Sequence, residues 1–203
     1  MRKGSLYVIA APSGAGKTSL VKAVLARDPS LRVSISHTTR KPRENERDGE
    51  HYHFVTIDEF KRLRDAGAFL EHAQVYDNFY GTSRDGVEAL MGAGHDVILE
   101  IDWQGARQVR AAQPDCRSIF ILPPSRRSLE DRLRKRQTDS EEVIQRRLRD
   151  SIADMSHFGE FDQVVVNDDF ESAVAQLLAI LRGGRGFDAR RPELKPLIAE
   201  LLG

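Results

Sequence analysis

Cysteine is almost missing: Cys116 stands alone in 203 residues. That rules out an internal disulfide and fits a reducing cytosol. An excess of one charge is missing too. Lysine plus arginine and aspartate plus glutamate number 31 each, so no global field draws the chain to nucleic acid or to an anionic membrane, and any anion it takes is held locally. No run approaches the roughly 20 apolar residues of a spanning helix. Arg2 and Lys3 lead into an apolar stretch, Leu6 to Ala11, that is too short for a secretion signal. Repeats and low-complexity tracts are absent. What remains is the expectation of a soluble cytoplasmic protein, one sizeable domain with insertions.

What is present starts with Ala11-Pro12-Ser13-Gly14-Ala15-Gly16-Lys17-Thr18, which closely fits the pattern Gly-x-x-x-x-Gly-Lys-[Ser/Thr] of a phosphate-binding loop. A short β-forming run, Leu6 to Ala10, precedes it, and Thr18 to Leu25 follows with helical spacing. Loop N–H groups and the positive end of the helix dipole face an anion, and Lys17 adds a full charge. Thr18 is placed to put its hydroxyl on a magnesium ion that bridges phosphates. The first position is Ala11 rather than glycine. Alanine suits an extended chain there and would not suit a positive φ.

Downstream, strands alternate with helices, which indicates an α/β fold with a central parallel sheet and helices on both faces. Strands are expected at Leu31 to Ser36, Ala68 to Val75, Asp96 to Ile101, Ser118 to Leu122 and Phe161 to Val166. Helices are expected from Thr56, from Arg84 to Met91, from Trp103 to Ala112 and up to Leu181. Asn78 to Thr82 reads as a turn or short hairpin. Arg126 to Asp150 reads as helical, with a break at Gln137-Thr138 and a cap at Asp139. Gly183, Gly184 and Gly186 mark a boundary before an amphipathic tail. Between Ser36 and Glu50 the chain is polar, and Arg40 and Arg43 flank Pro42 with Tyr52 beyond. Two guanidinium forks and a phenol so spaced suit one phosphate. Glu71 is a carboxylate among apolar neighbours, and Asp102 ends a strand where a parallel sheet places its ligands. His37, His51, His53 and His72 lack the spacing of a zinc site.

Taken together these residues resemble the guanylate kinase family, in its bacterial form. The resemblance runs from Leu6 to about Leu181. It rests on the loop at 11–18, Ser-x-Thr-Thr-Arg-x-Pro-Arg-x-x-Glu at 36–46, Gly-Glu-His-Tyr-x-Phe at 49–54, Tyr-Gly-Thr at 80–82, Ile-Asp-Trp-Gln-Gly at 101–105 and Val-Asn-Asp-Asp at 166–169. It implies a P-loop three-layer core (1–35, 84–125 and 151–184), a small mixed α/β insertion for GMP (36–83), a helical lid (126–150) and a tail (185–203). It also implies reversible, magnesium-dependent transfer from ATP to GMP, which recycles GMP and supplies GDP and GTP, with dGMP accepted as well.

On this reading Arg40, Arg43, Tyr52 and Tyr80 grip the GMP phosphate, and Glu46 belongs to the same site. Ser36, Glu71, Thr82 and Asp102 read guanine. Ala11 to Thr18 hold the ATP phosphates, with Arg132, Arg136 and Arg147 from the lid and Asn167 on the adenine side. Thr18 contacts Mg2+ directly, and Glu100 and Asp102 do so through water. Catalysis is assigned to Lys17, Arg40, Arg132, Arg136 and Arg147. The glycines that usually flank the arginine at 136 are Lys135 and Gln137 here, a departure that bears on lid motion. Two rivals stand beside this: an inactive guanylate-kinase-like module that binds proteins, and a kinase for a phosphorylated sugar. The intact loop and lid arginines count against the first, and Glu71, Thr82 and Asp102 against the second. Monomer and homodimer are both compatible with the sequence.

Overall fold

A computed structural model of the chain describes residues 3–75, 77–135, 140–184, 187–188 and 191–203, the side chain of Phe187 excepted. Ten strands and eight helices occur among these residues, in the order β1 (Leu6–Ala10), α1 (Lys17–Arg27), β2 (Leu31–Val33), β3 (His37–Thr38), β4 (His53–Phe54), α2 (Ile57–Asp65), β5 (Phe69–Val75), β6 (Asn78–Ser83), α3 (Arg84–Gly92), β7 (Asp96–Glu100), α4 (Trp103–Ala112), β8 (Arg117–Leu122), α5 (Arg126–Arg134), α6 (Glu141–Met155), β9 (Gln163–Val166), α7 (Phe170–Leu181), β10 (Phe187–Asp188) and α8 (Lys195–Leu202). The larger sheet has the order β10-β9-β8-β1-β7-β2, five parallel strands with β10 antiparallel at the edge. The chain forms two compact units, Met1–Val8 with Ser30–Cys116, and Ile9–Pro29 with Arg117–Gly203.

The first unit carries the smaller sheet, β4-β3-β6-β5. Its core is aromatic: Phe60 lies 4.7 Å from Phe69 and 5.5 Å from Phe79 between ring centroids. Asn78 to Thr82, expected as a turn or short hairpin, is the antiparallel partner strand of β5, the second arm of a hairpin. Gly81 does not bend it. It is needed in that strand because a Cβ there would sit 3.0 Å from the Phe69 ring, so the glycine marks a close approach rather than a bend. The strand expected at 31–36 is shorter, ending at Val33.

The second unit carries the loop 11–16, the helical pair α5 and α6, and the tail. Helices α2 to α7 each start on a Ser, Thr or Asp whose side chain accepts from an N–H three residues on, which satisfies one of the orphan donors of the first turn. For α6 the cap is Ser140. Gln137, Thr138 and Asp139, expected as break and cap, lie outside the described residues, as do Arg2, Gly186 and Arg190. Helix α6 runs on to Met155. The tail folds back onto its own unit: Arg126 at the start of α5 donates from Nε to the Leu201 carbonyl at 2.8 Å and from its backbone N–H to Glu200 at 3.2 Å. Leu194 and Leu201 are buried there.

Candidate active site

In the second unit the glycine loop turns from β1 into α1 through two left-handed residues, Gly14 at φ 90° and Gly16 at φ 93°. Both glycines are also demanded by their surroundings. A Cβ on Gly14 would meet Leu129 at 3.0 Å and Leu133 at 3.1 Å, and one on Gly16 would meet Asn167 Nδ2 at 2.4 Å. The loop's carbonyls are held from behind. Pro12 accepts from Ala15 N–H at 3.2 Å, and Gly16 accepts from Leu20 N–H at 3.1 Å. Ser151 Oγ, fully buried, donates to the Ser13 carbonyl at 3.1 Å. Asn167 Nδ2 donates to the Ala15 carbonyl at 2.7 Å. With its negative dipole ends turned to these donors, the loop presents a surface suited to an anion.

Two of the expected lid arginines reach this loop. Arg132 donates to the carbonyls of Ala15, at 3.3 Å, and Asn167, at 2.9 Å. Arg147 donates to Ser13 Oγ at 2.9 Å. Arg136 and Gln137 lie outside the described residues. Lys135 takes an ordinary right-handed conformation at φ −61°, so the backbone does not require glycine there. Across the 136–139 segment Arg134 pairs with both Glu130 and Glu141. The Arg134 bond, with Gln145 behind it, holds the Glu141 carboxyl down at about 2. A pocket of about 510 Å³ opens beside the loop, lined by Gly14, Gly16, Ser19, Arg132, Asn167, Asp168 and Phe170. Ser19 and Phe170 carried no signal in the sequence beyond their nearness to the loop and to Asn167.

The first unit holds the remaining candidates in two clusters. In one, Arg40 Nη2 donates to both Glu46 oxygens at 2.8 Å, and Glu46 also accepts from Arg43 N–H at 2.8 Å. The Arg40 guanidinium lies 5.4 Å from the Tyr52 ring centre, and Tyr52 lies 6.1 Å from Tyr80. Burial alone would lower the Arg40 pKa. The Glu46 carboxylate, helped by Tyr80, overrides it and raises that pKa. Burial likewise works to raise Glu46, yet the Arg43 N–H and Arg40 bring it below the usual carboxylate range. Burial, then Tyr80 and Glu100, pushes the Tyr52 phenol up. Arg43 is exposed. Thr38 and Thr39, buried or half-buried, tie this loop to β6 through the Phe79 backbone.

In the other cluster Thr82 Oγ1, fully buried, donates to Glu71 Oε1 at 2.6 Å, and Ser36 Oγ lies 3.4 Å from Thr82 Oγ1. Glu71 is 3% exposed. A β-bulge puts it there: the β5–β6 register shifts between Phe69 and Glu71, so Glu71 pairs with Thr82 and three successive residues are buried. Bulges re-aim side chains in this way. Asp102 caps α4, accepting from Gly105 N–H at 2.7 Å. Gln108 fastens α4 to β5, accepting from His72 N–H at 3.1 Å and donating to its carbonyl at 2.7 Å. Neither Gly105's nor Gln108's role was visible from sequence, since each depends on α4 lying against β5. Of the histidines, His37 and His53 face each other at 4.7 Å between ring centroids. Burial, then His53, lowers the His37 pKa.

Comparison with known proteins supports the reading that these sites suggest. The guanylate kinase family model matches residues 3–183. Among curated proteins, the guanylate kinases of Alkalilimnicola ehrlichii (54% identical over 199 residues, 98% of this chain and 97% of that one) and Nitrosococcus oceani (56% over 200 residues, 98% of each) align nearly end to end. That of Escherichia coli K12 is 54% identical over 187 residues, 91% of this chain and 90% of that one. Among solved structures, the guanylate kinase of Anaplasma phagocytophilum superposes with a TM-score of 0.75 at 32% identity, covering 97% of this chain and 94% of that one.

Proposed function

The chain belongs to the guanylate kinase family, enzymes that transfer a phosphoryl group between ATP and GMP, and we propose that its two clusters of polar residues divide that reaction between them. Its activity is that of an ATP:GMP phosphotransferase. Neither the protein-binding module nor the sugar-phosphate kinase has support among the relatives. The finer assignment is as follows. Residues 36–83 form the acceptor insertion, 126–150 the lid, and 185–203 a brace on the lid's first helix.

GMP enters with its phosphate toward Arg40, Arg43, Tyr52 and Tyr80. Glu46 orients the Arg40 fork, as its two-oxygen grip supports. Guanine presents two donors on its pairing edge, N1–H and the exocyclic amine, which Glu71 and Asp102 accept, while Thr82, with Ser36 beside it, sets the Glu71 carboxylate. Adenine presents an acceptor at N1 and lacks the amine, so a buried carboxylate would be left unpaired. Sites built on such bonds reject the wrong analogue by about four orders of magnitude. The 2′-hydroxyl is no part of this pattern, so dGMP is a substrate.

ATP places its phosphates on the loop Ala11–Thr18 with Lys17. Arg132, Arg136 and Arg147 neutralise charge as it builds on the moving group, and Asn167 braces the loop through the Ala15 carbonyl. Thr18 offers a hydroxyl for direct contact with Mg2+, and Glu100 and Asp102 offer carboxylates for contact through water, oxygen donors of the kind that ion takes. Bound with ATP, the ion supplies charge neutralisation on the phosphates. Two terminal phosphates must come into line, and each unit-charge pair at about 4 Å repels by roughly 4 kcal/mol at a protein-like dielectric. The cationic side chains offset that. A GMP phosphate oxygen is already a nucleophile, so neither a covalent intermediate nor a general base is required. A buried Cys116 fits a cytoplasmic location.

The observation that carries this reading is Glu71, a carboxylate 3% exposed and fixed by Thr82. Steady-state kinetics on Glu71→Ala with GMP, dGMP, AMP and UMP as acceptors test it. The KM for GMP rises about a hundredfold while that for ATP holds; equal changes in both would refute the assignment.

A further inference from the structure

Gly105 belongs to α4, far in sequence from Glu71, yet the two are in van der Waals contact by necessity. A Cβ on Gly105 would stand 2.5 Å from Glu71 Oε2 and 3.4 Å from Asp102 Oδ1. The first distance is well inside contact. The overlap has no soft way out. Glu71 is buried, and its other oxygen takes the 2.6 Å bond from Thr82. The helix cannot back away either, because Gln108, less than one turn further on, grips both the N–H and the carbonyl of His72, the residue after Glu71. Gly105 N–H, meanwhile, is the donor that fixes Asp102. No left-handed backbone explains the glycine: its φ is not positive, and it lies in the first turn of a helix, where glycine has a lower helix propensity than alanine.

We propose that Gly105 is a specificity-determining position: its bare Cα makes the berth in which the Glu71 carboxylate stands, while its N–H sets the angle of Asp102. One residue thereby fixes the separation of both acceptors that meet the guanine edge. The proposal rests on the assignment of Glu71 to guanine. Any side chain at 105 displaces the Glu71 carboxylate and breaks its bond to Thr82, so base recognition is lost.

The test is Gly105→Ala, assayed with GMP, with inosine monophosphate, which keeps N1–H and lacks the amine, and with ATP varied separately. The expected result is a rise of about tenfold or more in the KM for GMP, a smaller preference for GMP over inosine monophosphate, and an unchanged KM for ATP. In a Glu71→Asp background the shorter acid vacates the berth, and adding Gly105→Ala changes the GMP KM by less than about twofold. A chain that folds only as the double variant, with the GMP KM of Glu71→Asp alone, supports the same overlap. Additive losses, or KM values for GMP and ATP that rise in parallel, overturn the proposal. If Glu71→Ala itself leaves GMP binding intact, the guanine assignment falls; if Glu71→Ala impairs it and Gly105→Ala does not, only the berth falls.

Discussion

The loop proposed to serve the donor and the pocket proposed to serve the acceptor base are built on opposite principles. Around the loop, Asn167, Arg132 and Ser151 all bond to main-chain carbonyls, and Arg147 to a serine hydroxyl. In the base pocket, Ser36, Thr82 and Glu71 are linked side chain to side chain, and the Gly105 N–H holds the second carboxylate, Asp102. A phosphate is nearly the same from every side, so backbone dipoles around one added charge can hold it, and most of the loop's own side chains are small. A purine differs from its rivals by one donor, and only side chains at fixed spacing detect that. The donor side should therefore tolerate substitution of what it displays but not of its charge, and the acceptor side should tolerate almost nothing that shifts a carboxylate.

The sharpest break in this contrast is Lys17→Met, which removes the one full charge placed on the loop itself. It lowers kcat by about a thousandfold, roughly 4 kcal/mol, with circular dichroism unchanged; a loss under tenfold would show that backbone dipoles alone suffice. Next comes Glu46→Gln, which weakens the two-oxygen grip on Arg40. The KM for GMP rises about tenfold, and a parallel rise for ATP would erase the distinction between the two sides. Because the folded-state Glu46 pKa is depressed, the contribution of this pair is fully present above the unfolded carboxylate value. It is lost as pH falls through the lower folded value, so the ratio of the Glu46→Gln KM for GMP to the wild-type KM is the same at pH 5 as at pH 7, whatever the ionisation of the GMP phosphate does to both.

Ser151→Ala is milder. It deletes one buried bond to the Ser13 carbonyl, costs about 1 kcal/mol, and lowers the melting temperature by about 2–4 °C. The KM for ATP rises a few-fold and that for GMP is unchanged. Smallest of all is Glu141→Gln at the exposed α5–α6 link. With its carboxyl held at about 2, the link persists down the pH scale until the acid protonates toward that value. Being in full contact with water, it shifts thermal stability by no measurable amount.

How much was legible follows the same division. The loop is a contiguous motif whose chemistry lies within eight residues, so its strand, helix and lysine could all be read from the string. The base readers were named one by one, but what places them was hidden. The bulge that turns Glu71 inward depends on pairing with β6, a stretch whose sequence left turn and hairpin both open. Gly105 and Gln108 act through a helix that meets β5 only after folding. The tail, too, carried no address in its composition. Its docking depends on Arg126, whose guanidinium looked like one more surface charge.

Ser13 yields one last consequence. Its hydroxyl is held by Arg147 and its carbonyl by Ser151, both from α6, so that helix cannot swing outward without letting go of the cradle's own peptide chain. On the proposed assignment of α6 to the lid, departure of spent ADP and slackening of the cradle become one event rather than two in succession, and stopped-flow release should quicken when either grip is cut.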